Sequence, residues 1–146
     1  MDKIIVDEWL RYADNDLKAA HILANHHPMQ LEIICYHCHQ AAEKALKAFL
    51  LFSNSIPTRT HSLENLVDLC REITDEFDDI VIDCEYLNPF GVQPRYPFGL
   101  ELSEDDAVIS ILKCENIVDF IRTRIIYESI DVDRNDEVGS EPMSVS

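Results

Sequence analysis

Apolar residues in the first half of the chain recur at the period of an amphipathic helix. They stand at three- and four-residue steps over residues 6–23, and the same pattern returns over residues 31–52. Pro28, in the sequence ANHHP, interrupts the first stretch, and Pro57 follows the second. The pattern therefore predicts a first helix that ends near ANHHP and a second helix over 31–52.

A short third helix and a fourth helix follow at the same period. Ser62 is a candidate N-cap for an apolar stretch over 63–73, because a serine side chain can accept a hydrogen bond from a free backbone N–H group in the first turn. Thr74 and the acidic residues after it are typical of the start of a further helix, which the apolar positions carry to Leu87.

The rest of the chain predicts one loop and a long last helix. The segment GVQPRYPFGLEL, residues 91–102, is too rich in proline and glycine for regular structure. Ser103 and three acidic residues then begin a helix that carries Arg122 and Arg124 near its end, which is the charge order that the helix dipole favours. Most connections are short, so neighbouring helices should run antiparallel. The expected fold class is all-α, an up-down bundle of four main helices plus one short helix.

Length and the loss of periodicity set the expected domain limits. A chain of 146 residues is long enough to bury one core, and from about residue 130 the sequence becomes acidic and loses its apolar period. We expect one helical domain over 1–129 and an acidic disordered tail over 130–146. No stretch holds the roughly 18 apolar residues of a membrane helix, and the N-terminus lacks the layout of a secretory signal. The expected location is the cytoplasm, with no membrane partner.

The net charge narrows the class of partner. With 28 acidic and 12 basic residues the formal charge is −16, and such a surface repels the phosphate backbone of duplex DNA. A single nucleotide in a locally basic pocket is compatible with it, because salt screens more distant charges beyond about 10 Å. The five cysteines are expected to be reduced, since their count is odd and the N-terminus carries no export signal.

The sequence CYHCHQAAEKALKAFL, residues 35–50, raises the question of a metal site. At about 100° per helical residue, Cys35 and Cys38 fall on the apolar stripe of the second helix, while His37 and His39 point apart. A zinc site needs four convergent ligands, and no second pair follows at the spacing of a zinc finger. We therefore expect buried core cysteines and no metal. Burial also argues against a cysteine nucleophile, because it raises the pKa of a thiol and denies it access to substrate.

Polar residues flank this apolar stripe and form the first part of a candidate site. They are His39, Gln40, Glu43, Lys44 and Lys47. A solvated helix face has the same pattern, so spacing alone leaves both a solvated face and a ligand site open.

Two loops supply further candidates for holding an anion. In PTRTHSL, Arg59 and His61 precede a helix N-terminus, where free backbone N–H groups favour anions. In QPRYP, Arg95 and Tyr96 stand between prolines, and arginine can grip a phosphate with two parallel hydrogen bonds.

Four stretches occur in a specific order: WLRYADNDLKAAHIL, CYHCHQAAEKALKAFL, PTRTHSLENLVDL and PRYP before a long last helix. In this order they resemble the HEPN domain family (higher eukaryotes and prokaryotes nucleotide-binding), over about Asp7 to Tyr127. The resemblance implies a helical bundle that is often dimeric and is frequently encoded beside a minimal nucleotidyltransferase. A homodimer is also expected from the last helix, whose apolar residues cover more than one face.

Some members of that family are ribonuclease toxins, in which an arginine is followed four to six residues later by a histidine. No arginine of this chain has a histidine at that distance, and His61 follows Arg59 by two positions only. The resemblance therefore implies a non-catalytic binding and interaction module, paired with a nucleotidyltransferase in a two-component, toxin–antitoxin-like system. The alternative is a metal-independent RNA-cleaving toxin that brings His61 and either Arg59 or Arg95 together in space.

The residues that the resemblance carries over form one expected site for a phosphate or a nucleotide, with no catalytic residue and no cofactor. They are His39, Glu43, Lys44, Lys47, His61, Arg95 and Tyr96. If they converge, they offer several cationic donors at one place on an otherwise acidic protein.

Overall fold

The computed structural model describes residues 2–91 and 101–140, with the side chains of the last helix described as far as Ile126 and at Glu128. The described part contains five α-helices: α1 (Lys3–Ala24), α2 (Leu31–Phe52), α3 (Leu63–Ile73), α4 (Val81–Leu87) and α5 (Glu104–Ser140). Two 3₁₀ segments, Asp75–Ile80 and Asn88–Gly91, flank α4. All described elements are helical, which confirms the predicted all-α bundle.

Two of the predicted N-caps are confirmed by hydrogen bonds. At α3, Asn65 N donates to Ser62 Oγ over 3.2 Å. At α5, Asp106 N donates to Ser103 Oγ over 3.2 Å, and Ser103 N donates back to Asp106 Oδ2 over 2.9 Å. This reciprocal pair satisfies backbone groups that a helix start leaves without intrahelical partners.

The segment between α3 and α4 differs from the prediction. The sequence pattern predicts one helix from Thr74 to Leu87, whereas Asp75–Ile80 form a 3₁₀ segment and only Val81–Leu87 are α-helical. Glu76 N donates to Thr74 Oγ1 over 3.3 Å, which favours a tight turn at this point. Aspartates are also poor residues for a helix interior. The prediction of one continuous helix is therefore wrong here.

α5 extends beyond the limit expected for the helical domain. It runs to Ser140 and so enters the segment 130–146, which the sequence pattern assigns to an acidic tail. Adding a residue to an existing helix is far easier than starting a new one, so a non-periodic acidic segment can continue a helix. The division into a domain over 1–129 and a tail stays a prediction.

α2 lies at the centre of the bundle and packs against α1, α3 and α5. Its contacts with α1 run in opposite chain directions: Trp9 lies beside Lys47, and Asp16 contacts His37. The two helices are therefore antiparallel, as their short connection predicts. We call the surface along which their polar and aromatic side chains meet the α1–α2 seam.

The core is built largely on the inner face of α2. Phe49 is fully buried there, with its ring centroid 4.5 Å from that of Phe77 in the 3₁₀ segment before α4. Cys35 and Cys38 are fully buried in the same helix, which confirms their prediction as core residues. Across the described residues, no helix combines the length and the apolar composition needed to span a bilayer.

Candidate functional site

The predicted polar residues of α2 separate into two clusters, of which the first contacts α1 through Lys47 and Trp9 and the second through Asp16. The first cluster, which we call the Glu43 cluster, contains His39, Glu43, Lys47 and His61. Lys44 belongs to the second cluster, where it contacts the carboxylate of Asp16. Arg95 and Tyr96 lie outside the described residues.

Glu43 is a buried carboxylate with a fixed ammonium partner. Only 4 % of the residue is exposed, and Lys47 Nζ, one turn further along α2, donates to Glu43 Oε2 over 3.0 Å. Lys47 is itself buried, and its Nζ lies 5.9 Å from the ring centroid of Trp9. A buried charge needs such partners, because a charge without them is costly to remove from water.

His61 meets the same carboxylate from the loop before α3. Its Nδ1 lies 3.2 Å from both carboxylate oxygens of Glu43, while 76 % of its side chain is exposed. The loop is held beside the ring, because Ser62 N donates to Thr60 Oγ1 and Leu63 N donates to Asn88 Oδ1. When Nδ1–H donates to Glu43, Nε2 is the ring nitrogen left for a ligand.

His39 occupies the interior side of the Glu43 cluster. It is fully buried, and its Nδ1 lies 3.3 Å from Gln40 Oε1. Its Nε2 has no hydrogen-bond partner in the described part of the chain, and a Cβ built on Gly91 would lie only 2.4 Å from it. Burial lowers the pKa of His39 in spite of the opposing effect of the Glu43 carboxylate. His39 is therefore a neutral core group, inaccessible to a ligand in solution.

The second cluster, which we call the Asp16 cluster, contains Asp16, His37 and Lys44. Lys44 Nζ donates to one carboxylate oxygen of Asp16, and His37 Nδ1 lies 2.9 Å from the other. The exposed fraction is 13 % for the Asp16 side chain, 29 % for His37 and 27 % for Lys44. Lys44 Nζ also lies 6.0 Å from the ring centroid of Tyr12.

Asp16 and His37 are absent from the predicted site, although the sequence carries a signal for Asp16. It stands three residues after Ala13 and four before Ala20, both of which are fully buried. A carboxylate at this helical period points toward a neighbouring helix, where it needs a partner. His37 and His39 point apart as predicted, since one contacts α1 and the other packs on Gly91.

The cysteines do not contribute reactive groups to this surface. Burial raises the pKa of Cys35 to about 11, and the pKa of Cys38 is raised by its hydrogen bond with Cys114 and by burial. Neither thiol is therefore ready to act as a thiolate at neutral pH. In the portion of the chain that the structure describes, no group of three or more His, Cys, Asp or Glu side chains is arranged to hold a metal ion.

Each of the two clusters places a histidine and a lysine on one largely buried carboxylate. Such a carboxylate fixes the imidazole tautomer and its orientation, so the second ring nitrogen can accept a hydrogen bond or, when protonated, donate one to an anion. Both lysines are already paired with a carboxylate, so the charge of each ammonium is compensated and only its remaining N–H donors are available to a ligand. The more exposed imidazole, that of His61, is the group on this surface best placed to meet a ligand.

Comparison with known proteins identifies several relatives. The family model described as "HEPN domain" matches residues 6–125. The chain is 30 % identical over 132 residues to a protein of Methanocaldococcus jannaschii named "Putative toxin MJ1304", with 78 % of this chain and 84 % of that protein covered.

Two crystal structures share the fold. One is described as ST0689, an archaeal HEPN homologue, with a TM-score of 0.68 and 26 % identity over 86 % of this chain and 99 % of that chain. The other is TT1696 from Thermus thermophilus, with a TM-score of 0.70 and 22 % identity over 81 % of this chain and 96 % of that chain.

Proposed function

Because the chain belongs to the HEPN domain family, we propose that it is a non-catalytic binding module in a two-component, toxin–antitoxin-like pair. Its ligand site is the Glu43 cluster, and the ligand is a nucleotide or another phosphate compound that contacts His61. The observation that carries the proposal is an exposed imidazole held in place by a buried carboxylate.

The Glu43 cluster is preorganised for binding. Lys47 holds the Glu43 carboxylate from inside the bundle, and that carboxylate holds the His61 ring. A side chain that is already ordered loses less freedom when a ligand binds, so more of the interaction energy contributes to affinity. His61 Nε2 can accept a hydrogen bond from a ligand hydroxyl, or donate one to a phosphate oxygen when the ring is protonated.

Two facts favour binding over catalysis. The sequence has no arginine followed by a histidine at the spacing of the family's ribonucleases. In addition, His39 is sealed in the core with a lowered pKa, so it cannot exchange protons with a substrate as the second acid–base group beside His61.

The proposal of a protein partner is supported by the net charge of the chain and by its relatives. The M. jannaschii relative carries the name "Putative toxin MJ1304". A chain with a formal charge of −16 suits a basic protein partner, because opposite charges speed association and select among partners. We propose a nucleotidyltransferase as that partner and a homodimer as the assembled form. Co-expression with the product of the neighbouring reading frame should yield a complex that weakens with salt, and light scattering at micromolar concentration should show the dimer.

Ligand binding at the Glu43 cluster is tested by thermal-shift measurements with ATP, GTP, AMP and short RNA. A ligand present at 100 times its Kd stabilises the folded state by about 2.7 kcal/mol, which is readily measured. We expect one nucleotide to raise the Tm of the wild type and to leave His61→Ala unchanged. His21→Ala is the matched control, since His21 is also an exposed histidine beside a carboxylate, 3.4 Å from Glu115. An equal shift in wild type and His61→Ala would remove the Glu43 cluster from the proposal.

RNA cleavage is the second candidate function, and the His61–Glu43 contact favours it. A carboxylate that orients an imidazole is a common arrangement for a general base. Incubation of a labelled RNA with the protein in the presence of a chelator tests this candidate. Cleavage by the wild type that is lost in His61→Ala would replace the binding proposal with the enzymatic one, and intact RNA would support the binding module.

A further inference from the structure

The Asp16 cluster differs in one respect from a simple link between two helices. A comparable link joins α4 and α5, where Lys113 Nζ donates to Asp83 over 3.0 Å and lies 5.4 Å from the ring centroid of Tyr86. Asn116 Nδ2 donates to the other oxygen of Asp83 over 2.6 Å. This lysine–carboxylate–tyrosine link therefore uses an amide where the Asp16 cluster uses a histidine.

The two links are closely matched in exposure. The lysine side chain is 27 % exposed in both, and the carboxylate is 13 % exposed at Asp16 and 16 % at Asp83. An amide is sufficient to satisfy the carboxylate between α4 and α5, so joining two helices does not require an imidazole. The chemistry that is particular to the Asp16 cluster is that of His37.

His37 and Lys44 together offer complementary contacts to a ligand. When His37 Nδ1–H donates to Asp16, Nε2 is the ring nitrogen left to accept a hydrogen bond. Lys44 has three N–H donors, of which Asp16 engages one, and its side chain is partly exposed. Tyr12 is 45 % exposed, and its ring centroid lies 6.0 Å from the Lys44 ammonium and 4.9 Å from the Arg11 guanidinium.

The Asp16 cluster adjoins the Glu43 cluster at Lys47, on the α1–α2 seam. Lys44 and Lys47 are one helical turn apart on α2, and the rings beneath them, Tyr12 and Trp9, are one turn apart on α1. Side chains at this spacing have Cβ atoms about 5–6 Å apart. Lys44 of the Asp16 cluster is therefore a direct neighbour of Lys47 of the Glu43 cluster.

We propose that the Asp16 cluster is a second contact point of the ligand site, and that it selects a phosphate ester bearing a free hydroxyl group. His37 Nε2 accepts the hydrogen bond of that hydroxyl, and Lys44 donates to an anionic oxygen. Asp16 is a positioning residue that fixes the His37 tautomer. This inference rests on the proposed function, because it names the ligand class of the same site.

Affinity for two matched nucleotides tests the inference. AMP carries ribose hydroxyls that 2′,3′-dideoxy-AMP lacks. Isothermal titration should therefore show about fivefold tighter binding of AMP by the wild type, because this factor corresponds to the free energy of one neutral hydrogen bond. His37→Leu should bind the two nucleotides equally. Lys113→Met, in the matched link, should keep the wild-type preference.

Asp16→Asn tests the positioning role by a readout that helix packing alone would not move. The ¹⁵N shifts of the His37 ring should show one tautomer, protonated at Nδ1, in the wild type and a mixture in Asp16→Asn, with a reduced preference for AMP. Wild-type discrimination retained in His37→Leu would overturn the inference while leaving nucleotide binding at the Glu43 cluster intact.

Failure of the proposed function gives a different result. If neither nucleotide binds the wild type, the nucleotide proposal fails, and the His37 ring signals are then followed during titration with ribose 5-phosphate at millimolar concentration. A shift of Nε2 that is absent in Lys44→Met sustains the hydroxyl-bearing phosphate ester as ligand, and unchanged ring signals overturn it.

Discussion

Removing the Glu43 carboxylate should destabilise the fold more than removing either of its partners. In Glu43→Leu the Lys47 ammonium stays in the bundle without a carboxylate, although its side chain is only 10 % exposed. Breaking a buried ion pair from one side costs about 3–5 kcal/mol. Lys47 lies beside Trp9 in the wild type and in the variant alike, so this contact does not change the difference, and the remaining exposure of Lys47 places the loss at the lower end of that range. We expect a net loss of about 3 kcal/mol.

Substitutions of Lys47 and His61, the two partners of Glu43, should lower the stability by smaller amounts. Lys47→Met leaves Glu43 with His61 as a remaining partner, so its cost should be smaller, about 1–2 kcal/mol. His61→Ala removes a largely exposed side chain and should cost less than about 1 kcal/mol. The double variant Glu43→Leu/Lys47→Met removes both charges of the buried pair, so it should recover much of the loss seen in Glu43→Leu.

Urea unfolding followed by circular dichroism measures these differences as shifts of the midpoint at constant slope. A loss of about 3 kcal/mol corresponds to a Tm lower by roughly 6–12 °C in a chain of this size. A cost below about 1 kcal/mol for Glu43→Leu would mean that Glu43 and Lys47 are not a buried, coupled pair. A double variant less stable than either single variant would mean the same.

Three further changes test other parts of the structure. Gly91→Ala would place a Cβ 2.4 Å from His39 Nε2, so we expect a loss of about 1–3 kcal/mol in urea unfolding, and wild-type stability would contradict this contact. Because burial lowers the pKa of His39, the unfolded chain binds that proton more readily. The contribution of His39 to the stability of the fold is therefore fully present above the unfolded pKa of about 6.5, and it is lost as the pH falls below that value. His39→Gln should lose less stability on acidification, and parallel curves would count against this. Elemental analysis should find no zinc, and one zinc per chain that disappears when Cys35 and Cys38 are replaced would overturn the prediction.

The helices that follow strong apolar periods are predictable from the sequence. α2 begins and ends where the pattern over 31–52 does, and Ser62 and Ser103 occupy the predicted caps. These features depend on neighbours within one or two turns, which the sequence shows directly. The 3₁₀ segment Asp75–Ile80 is not predicted by the pattern, because its apolar spacing is compatible with an α-helix as well as a 3₁₀ helix. The hydrogen bond from Glu76 N to Thr74 Oγ1 favours the tighter turn.

The candidate site is only partly predictable, because its contacts join distant parts of the chain. Helical spacing within α2 explains the Glu43–Lys47 pair. By contrast, whether Lys44 faces solvent or contacts Asp16 depends on the packing of α1 against α2. The same holds for His39, whose approach to Gly91 is set by the return of the chain after α4. Intrahelical spacing predicts which residues share a face, and the packing of helices decides which charges are already paired.

The Tm of the wild type and of His61→Ala, measured with and without nucleotide, tests ligand binding at the Glu43 cluster. We expect at least one of ATP, GTP or AMP to raise the Tm of the wild type and of His21→Ala by several degrees. The same nucleotide should leave the Tm of His61→Ala unchanged, although that variant folds with nearly wild-type stability. A Tm that no nucleotide changes in the wild type, or one that rises equally in His61→Ala, would contradict ligand binding at the Glu43 cluster.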